Sequence, residues 1–279
     1  MASFWNPRND LMFKKIFGES NKDILINFLN AVFEGVQEPI ESVSLLPTHQ
    51  NPEIASFRQT LVDVRCTDAK KNQFIVEMQH YGDPFFIRRA CIYASRAYIE
   101  QIKKSEPDVD DCNSSSDEGK SKTKKDMYKD VNPVILLAIL DEFPLIEGDE
   151  YISHNKILDI KTYVNNIKEF TYSFIRLDKF HKSFDESKSL LDKWCYFFKN
   201  AEITKGEEVE KIKESDPIVS KAYDVLNSSN YTQEEYEAYC HAEMCADAHE
   251  SSVSSAIERG IAKGLAEGKA KGLAEGKAE

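Results

Sequence analysis

The chain lacks any apolar run of the roughly 18 residues that a membrane-spanning helix requires. Its longest candidate, Val134 to Leu140, has only the length of a strand. Met1 to Asn9 lacks the basic-then-apolar order of a secretory leader. The six cysteines, at 66, 91, 112, 195, 240 and 245, include no CxxC pair. A chain of 279 residues builds a core without disulfides, so the thiols are read as reduced and the protein as cytoplasmic. Basic charge is also short. There are 36 Lys+Arg against 48 Asp+Glu, a formal net charge of -12. Taken whole, this argues against a protein that coats itself with nucleic acid or anionic lipid. Residues 1–104, however, hold 13 Lys+Arg against 12 Asp+Glu, and the remainder holds 23 against 36. The acid surplus belongs to the second part, and an anion-binding site in the first stays open.

What is present reads as a globular chain, 41% hydrophobic and 30% charged. Residues 9–35 carry a helical apolar stripe: Leu11, Phe13, Ile16 and Phe17, then a break at Gly18, then Ile24, Leu25, Phe28, Leu29 and Val32. Either Asn9 or Asp10 can cap its start. Ile40 to Leu46 is β-like. Two runs follow, QTLVDVRCT over 59–67 and NQFIVEMQH over 72–80, with a polar turn at 68–71. A helix is predicted from about Pro84 to Lys104. Residues 105–126 are rich in Ser, Asp and Lys and read as a disordered insertion. Val134 to Leu140 has the continuous apolar character of a strand buried on both faces. Further strands are predicted around 151–160 and 169–177, and the pattern is helical from about 187. The tail repeats LAEGKA, with Gly at 260, 264, 268, 272 and 276. It reads as helical, either self-associating or solvated.

Strand alternation places Val62, Val64 and Cys66 with Phe74, Val76 and Met78 on one apolar face of the hairpin. The other face carries Asp63, Arg65, Glu77 and Gln79. A turn centred on Lys70 sets Asp63 opposite Glu77, their Cβ atoms about 5 Å apart. Two facing carboxylates repel, and a divalent cation offsets that cost. Mg²⁺ (or Mn²⁺) suits one or two carboxylates, water and a substrate phosphate, and it activates water for attack at phosphorus. Gln79, two residues on, can hold a water or a phosphate oxygen. The bland reading is a half-exposed hairpin in which Arg65 pairs with Glu77. On the helix that follows, Arg89, Tyr93 and Arg96 lie at i, i+4 and i+7, so they share a face suited to a phosphate backbone. Cys240, His241, Cys245 and His249 have helical spacing too. They are read as a helix face rather than a metal set.

The run Asn9-Asp10-Leu11-Met12-Phe13-Lys14-Lys15-Ile16-Phe17-Gly18, then Val62-Asp63-Val64, then Val76-Glu77-Met78-Gln79, resembles the PD-(D/E)XK nuclease superfamily. More specifically it resembles the recombination-promoting branch, the PD-(D/E)XK nuclease family transposases. The helix FIRRACIYASRAYIEQI (86–102) and the AEGKA tail are similar to that branch as well. The resemblance covers roughly residues 6–180. It implies an α/β (α+β) restriction-endonuclease-like core, a mixed central sheet flanked by helices, with a helical C-terminal extension. It also implies metal-dependent DNA cleavage tied to recombination or mobile DNA. Asp63 and Glu77 match the family's metal-binding acids. Asp10 matches a supporting position, with N-capping its alternative role. Gln79 stands where the wider superfamily has Lys, and Val62 where it has Pro; Arg65, Arg89 or Lys14 are candidates to replace the missing cation.

The expected organisation is a nuclease-like domain over 1–186 containing the 105–126 insertion, a helical region over 187–255 and a Gly-rich tail over 256–279. DNA is the expected partner, contacted by Arg65, Arg89, Tyr93 and Arg96, with no membrane partner and with homo-oligomerisation through the C-terminal helices. The alternative is a nuclease fold of weak or absent activity that binds DNA or protein.

Overall fold

The apolar stripe over 9–35 becomes two helices with a 3₁₀ turn between them, because Gly18 ends the first. These are α1 (Asp10–Ile16) and α2 (Lys22–Val32). The computed structural model describes residues 4–50, 60–80, 83–103, 128–141, 146–205 and 207–275; the expected insertion at 105–126 lies outside them. The strands are β1 (Val43–Leu45), β2 (His49–Gln50), β3 (Thr60–Leu61), β4 (Val64–Asp68), β5 (Gln73–Gln79), β6 (Val134–Leu140), β7 (Ile152–Ile157) and β8 (Ile167–Arg176). The remaining helices are α3 (Phe86–Lys103), α4 (Leu190–Asn200), α5 (Glu207–Ser215), α6 (Pro217–Leu226) and α7 (Gln233–Glu275). The run expected as one strand over 59–67 is split into β3 and β4, and β2 pairs with β3 in a separate ribbon.

The main sheet is mixed, in the order β1-β4-β5-β6-β8-β7. β5, β6 and β8 run parallel, and the other neighbours are antiparallel. Helix α3 makes the crossover from β5 to β6, as a parallel pair requires. The turn between β4 and β5 closes tightly. Asp68 accepts the Asn72 N–H at 2.8 Å, and Lys71 takes a left-handed φ of 70°. That closure sets the register Thr67↔Gln73, Cys66↔Phe74, Arg65↔Ile75 and Val64↔Val76. The expected centre at Lys70 holds.

Every residue of β6 is buried. Val134, Leu136, Ala138 and Leu140 face α3, whose Ala90, Ala94 and Ala97 let it lie close on the sheet, with Ile75, Phe86 and Phe174 around them. Phe74, on the opposite face, meets Phe33 at the end of α2, ring centroids 6.0 Å apart.

The expected boundary at 186 does not fall there. Helices α4 and α6 pack with α1 and α2, and an aromatic chain joins them. Phe17 stacks on Phe28 at 5.2 Å, Phe28 meets Trp194 at 5.5 Å, and Phe197 meets Tyr223 at 5.0 Å. The buried Trp194 N–H is satisfied by Asn27 Oδ1 at 2.8 Å. The N-terminal strand residue Phe4 bridges to Asn227. One compact unit therefore spans 1–230, and a second spans 231–279. The second is built on α7, one helix of 43 residues that runs through the expected boundary at 256.

This packing makes residues 187–230 part of the core. Trp194→Ala is expected to cost about 3–5 kcal/mol in urea unfolding. A chain ending at residue 186 should fail to show a cooperative transition, whereas one ending at 230 should unfold cooperatively.

Candidate active site

The β4–β5 ladder stops one pair short of the two acids. Its register places Asp63 opposite Glu77, yet Asp63 is outside the strand. Side chains replace the missing ladder bonds. Glu77 Oε1 accepts the Asp63 N–H at 3.1 Å, and Asp63 Oδ2 accepts the Met78 N–H at 2.9 Å. Each carboxylate is thus held by backbone beside the other acid. The chain turns here because the Val62 N–H bonds to the Thr48 carbonyl at 3.2 Å instead of to β5. The turn also resets the alternation: Val62 packs with Ile75 and Phe86 on the α3 side, not with Val64 and Cys66 as expected.

The polar face of the hairpin is interior. Helix α3 covers it, leaving Glu77 3% and Arg65 2% exposed. The reading of a half-exposed outer face is therefore corrected, and so is the pairing of Arg65 with Glu77. Arg65 donates to Glu100 at 2.6 Å and to Gln73 at 2.8 Å. A guanidinium committed in this way is removed from the surface, so Arg65 is not placed to touch DNA.

Burial pushes the Asp63 carboxyl up to about 6; the Met78 N–H and Lys14 act against this, and Asp10 adds to it. Burial and then the Asp63 charge push Glu77 well above the ordinary carboxylate range, opposed by Arg89 and Lys14. Asp10 and Lys14 arrive on α1. Asn9 is the N-cap, its Oδ1 accepting from Leu11 N at 3.0 Å and Met12 N at 3.4 Å. The cap is therefore Asn9 and not Asp10, and the Asp10 charge adds to the rise at Asp63. Lys14 Nζ stands 2.6 Å from Asp10 and 3.8 Å from Asp63. A surface groove lined by Lys14, Phe17, Leu45, His49 and Leu61 opens beside Asp63.

At the end of β5, Gln79 Oε1 accepts from Arg89 at 2.7 Å, and its amide N–H donates to the Met78 carbonyl at 2.9 Å. Arg89 also pairs with Asp83 at 2.6 Å. Gln79 therefore anchors the Arg89 cation at the end of β5. Tyr93 is half-buried, and its hydroxyl pKa is raised by burial and by Glu77, which places it in the field of the acids. Arg96 is half-buried on the same side of α3, one turn before the Glu100 that holds Arg65. The structure thus gathers Asp10, Lys14, Asp63, Glu77, Gln79, Arg89 and Tyr93, and leaves Arg65 apart.

Three residues at this end of the sheet escaped the sequence reading. Arg8 forms an ion pair with Asp141, and the His80 Nε2–H donates to the Arg8 carbonyl at 2.6 Å. His80 and Asp141 directly follow β5 and β6. The carboxyl ends of parallel strands are where open α/β sheets bind ligands, so a first polar residue after each apolar run was the available signal. Arg8 carried none.

Among the described residues, no group of three or more His, Cys, Asp or Glu side chains is arranged to hold a metal ion. Cys245 and His241 touch at 3.8 Å along one helix, and the His249 side chain lies outside the described residues. The two-carboxylate donor set at 63 and 77 is a different case. It consists of hard oxygens, and Mg²⁺ binds through one or two protein carboxylates with water and phosphate completing its shell. These two acids, whose proton affinity stays raised beside Lys14 and Arg89, are donors of the kind such an ion takes.

A model of the family described as PD-(D/E)XK nuclease family transposase matches residues 7–113 and 118–256. A search of curated proteins found no match, and a search of solved structures found none. The match spans nearly the whole chain, and the mixed α/β sheet is consistent with the nuclease fold. The chain belongs to the PD-(D/E)XK nuclease family transposases.

Proposed function

We propose that this protein is a metal-dependent DNA endonuclease that hydrolyses phosphodiester bonds in recombination or in the movement of mobile DNA. The observation that carries the reading is the reciprocal lock between Asp63 and Glu77, which holds a partly buried and a buried carboxylate together where the β4–β5 ladder ends, with Asp63 lining a groove. Asp63 and Glu77 would hold Mg²⁺ or Mn²⁺, with Asp10 as a third acid at the rim. The ion, when bound, supplies charge to the scissile phosphate and lowers the pKa of an attacking water. The chain's own residues do the rest. Gln79 and Asp83 grip the Arg89 guanidinium from two sides, so that its charge faces the phosphate without reorganising. Tyr93 and Arg96 extend the polar row along α3 toward the DNA backbone. Lys14 offsets the charge of Asp10 and Asp63.

The rival reading, a nuclease fold that binds without cutting, draws support from Gln79 itself: its amide is spent on Arg89 and the Met78 carbonyl. The homo-oligomer reading draws on α7. There Ile257, Ile261 and Leu265 are exposed at i, i+4 spacing, with Gly260, Gly264 and Gly268 beside them to allow close helix approach. The cytoplasmic reading rests on the free thiols of Cys66, Cys91, Cys195, Cys240 and Cys245.

Plasmid nicking with Mg²⁺ or Mn²⁺ is the direct test. Asp63→Ala should lower the rate at least ~10²-fold, and equal nicking by this variant would sink the assignment. Arg89→Lys should lose roughly 10–100-fold, nearly as much as Arg89→Ala, because one ammonium cannot bridge Gln79 and Asp83.

Proton and metal compete for the same carboxylates. Both acids hold protons more tightly in the folded chain than in the unfolded one, so folding is favoured at low pH. That contribution is lost as pH rises, between about 4 and 6 for Asp63 and higher for Glu77. In EDTA the melting temperature should fall as pH is raised from 5 to 8. Asp63→Asn should flatten the fall, and Mg²⁺ should reverse it most at pH 8. A melting temperature that rises with pH in EDTA would contradict the raised carboxyls.

A further inference from the structure

The hairpin that joins β7 to β8 takes no part in the site described above. Past the irregularity at Lys156/Ile157, one pair, Ile157 opposite Ile167, leads the two strands to a tip. A bulge of this kind turns a ribbon away from its sheet. The tip is ordered from within. Asp159 Oδ1 accepts from the N–H groups of Lys161 at 2.9 Å and Thr162 at 2.8 Å. The Tyr163 N–H donates to the Asp159 carbonyl at 2.8 Å, and the Asp159 N–H to the Val164 carbonyl at 3.0 Å. These bonds hold Tyr163 at a φ of 57°, a left-handed conformation that is costly for a bulky residue.

This rigid frame displays apolar side chains to water. Ile157, Leu158, Ile160, Tyr163, Val164 and Ile167 are all exposed, Ile160 to 87% and Tyr163 to 76%. Six exposed apolar side chains within eleven residues are a density that suits an interaction site. Lys156, Lys161 and Lys168 surround it, exposed, and none has a carboxylate partner among the described residues. Residues 156–168 thus hold three lysines against one carboxylate, Asp159, in a chain of net charge -12. A second copy of the chain, packed tip to tip, would bring two identical patches together, each with more lysines than carboxylates. Duplex DNA supplies what both features lack: phosphates for the lysines, and base steps into which an apolar wedge can enter from the minor groove.

We propose that the 157–167 hairpin is a second DNA contact, with Lys156, Lys161 and Lys168 on phosphates and Ile160 and Tyr163 wedged at a base step. The inference rests on the reading of this chain as a protein that acts on DNA. The sheet register sets its distance from the acids. Glu77 is level with Ala138 and Phe174, seven residues along β8 from Ile167. At about 3.3 Å per residue, plus the tip, the wedge lies roughly 30 Å from Glu77. That is about nine base pairs at 3.4 Å each. The hairpin would thus grip the duplex nearly one turn from the cut.

The test uses the full chain in EDTA with a 30-base-pair duplex carrying 2-aminopurine, read by anisotropy and by 2-aminopurine fluorescence. The triple variant Lys156→Gln, Lys161→Gln, Lys168→Gln should reduce the salt slope of binding by about 2–3. The double variant Ile160→Ser, Tyr163→Ser should weaken binding about tenfold at an unchanged slope, and should abolish the fluorescence rise that reports unstacking. All five positions are exposed, so folding should survive, as circular dichroism would verify. Asp63→Ala should lose nicking yet keep the hairpin-dependent binding. If the wild type nicks while both hairpin variants bind and unstack DNA as it does, the inference falls and the nuclease reading stands. A wild type that neither binds nor nicks overturns both. A loss of dimer in sedimentation, with DNA binding unchanged, would assign the hairpin to a second copy instead and overturn the DNA contact.

Discussion

Two carboxylates buried side by side are costly in a protein interior, and this fold meets that cost with backbone. Asp63 and Glu77 each accept an N–H from the other's strand at the point where the β4–β5 ladder fails. The lock satisfies one oxygen of each acid. It does not neutralise them. Burial and mutual repulsion leave both carboxyls with raised proton affinity, so the site calls for a cation or for protons. Lys14 from α1 and Arg89 from α3 answer part of that demand, and Asp10 adds to it.

The scaffold explains how such a site stays in place. Helix α3 lies flat on the parallel strands because Ala90, Ala94 and Ala97 leave no bulk between them. That closeness buries the hairpin's polar face and sets Arg89 above the end of β5. At the helix's other end Glu100 closes on Arg65, so the same crossover that covers the acids also ties down the hairpin. Helix α1 is set by different neighbours. Its aromatic residues pack into the cluster built with α2, α4 and α6, and the Arg8–Asp141 pair and the His80–Arg8 bond fix the chain just before Asp10. The C-terminal helices thus support the site without lining it.

Local pattern carried much of this. The apolar run of β6, the break at Gly18, the turn at Lys70 and the register of Asp63 with Glu77 all follow from periodicity and turn chemistry over short stretches. The family is legible for the same reason, since its motifs are contiguous. Long-range contacts carried the rest. Nothing near Arg65 in the chain announces Glu100 or Gln73, so a buried arginine looked like a surface one. The break at Asp63 depends on Thr48, which draws the Val62 N–H away from β5, and it moves Val62 to the other face. The boundary placed at 186 was misleading because a change from strands to helices in the sequence is not a change of core.

The sequence by itself determined the long strands and helices, the pairing register of the two acids and the family, because each is written in side-chain type and spacing along the chain. Tertiary structure alone decided which groups bear on those acids. It gave Asp10 to the site rather than to a cap, withdrew Arg65, joined Gln79 to Arg89 and left the 157–167 hairpin apolar and unpaired. Proximity in space settles charge, burial and proton affinity, and no spacing along the chain encodes those where the partners lie tens of residues apart.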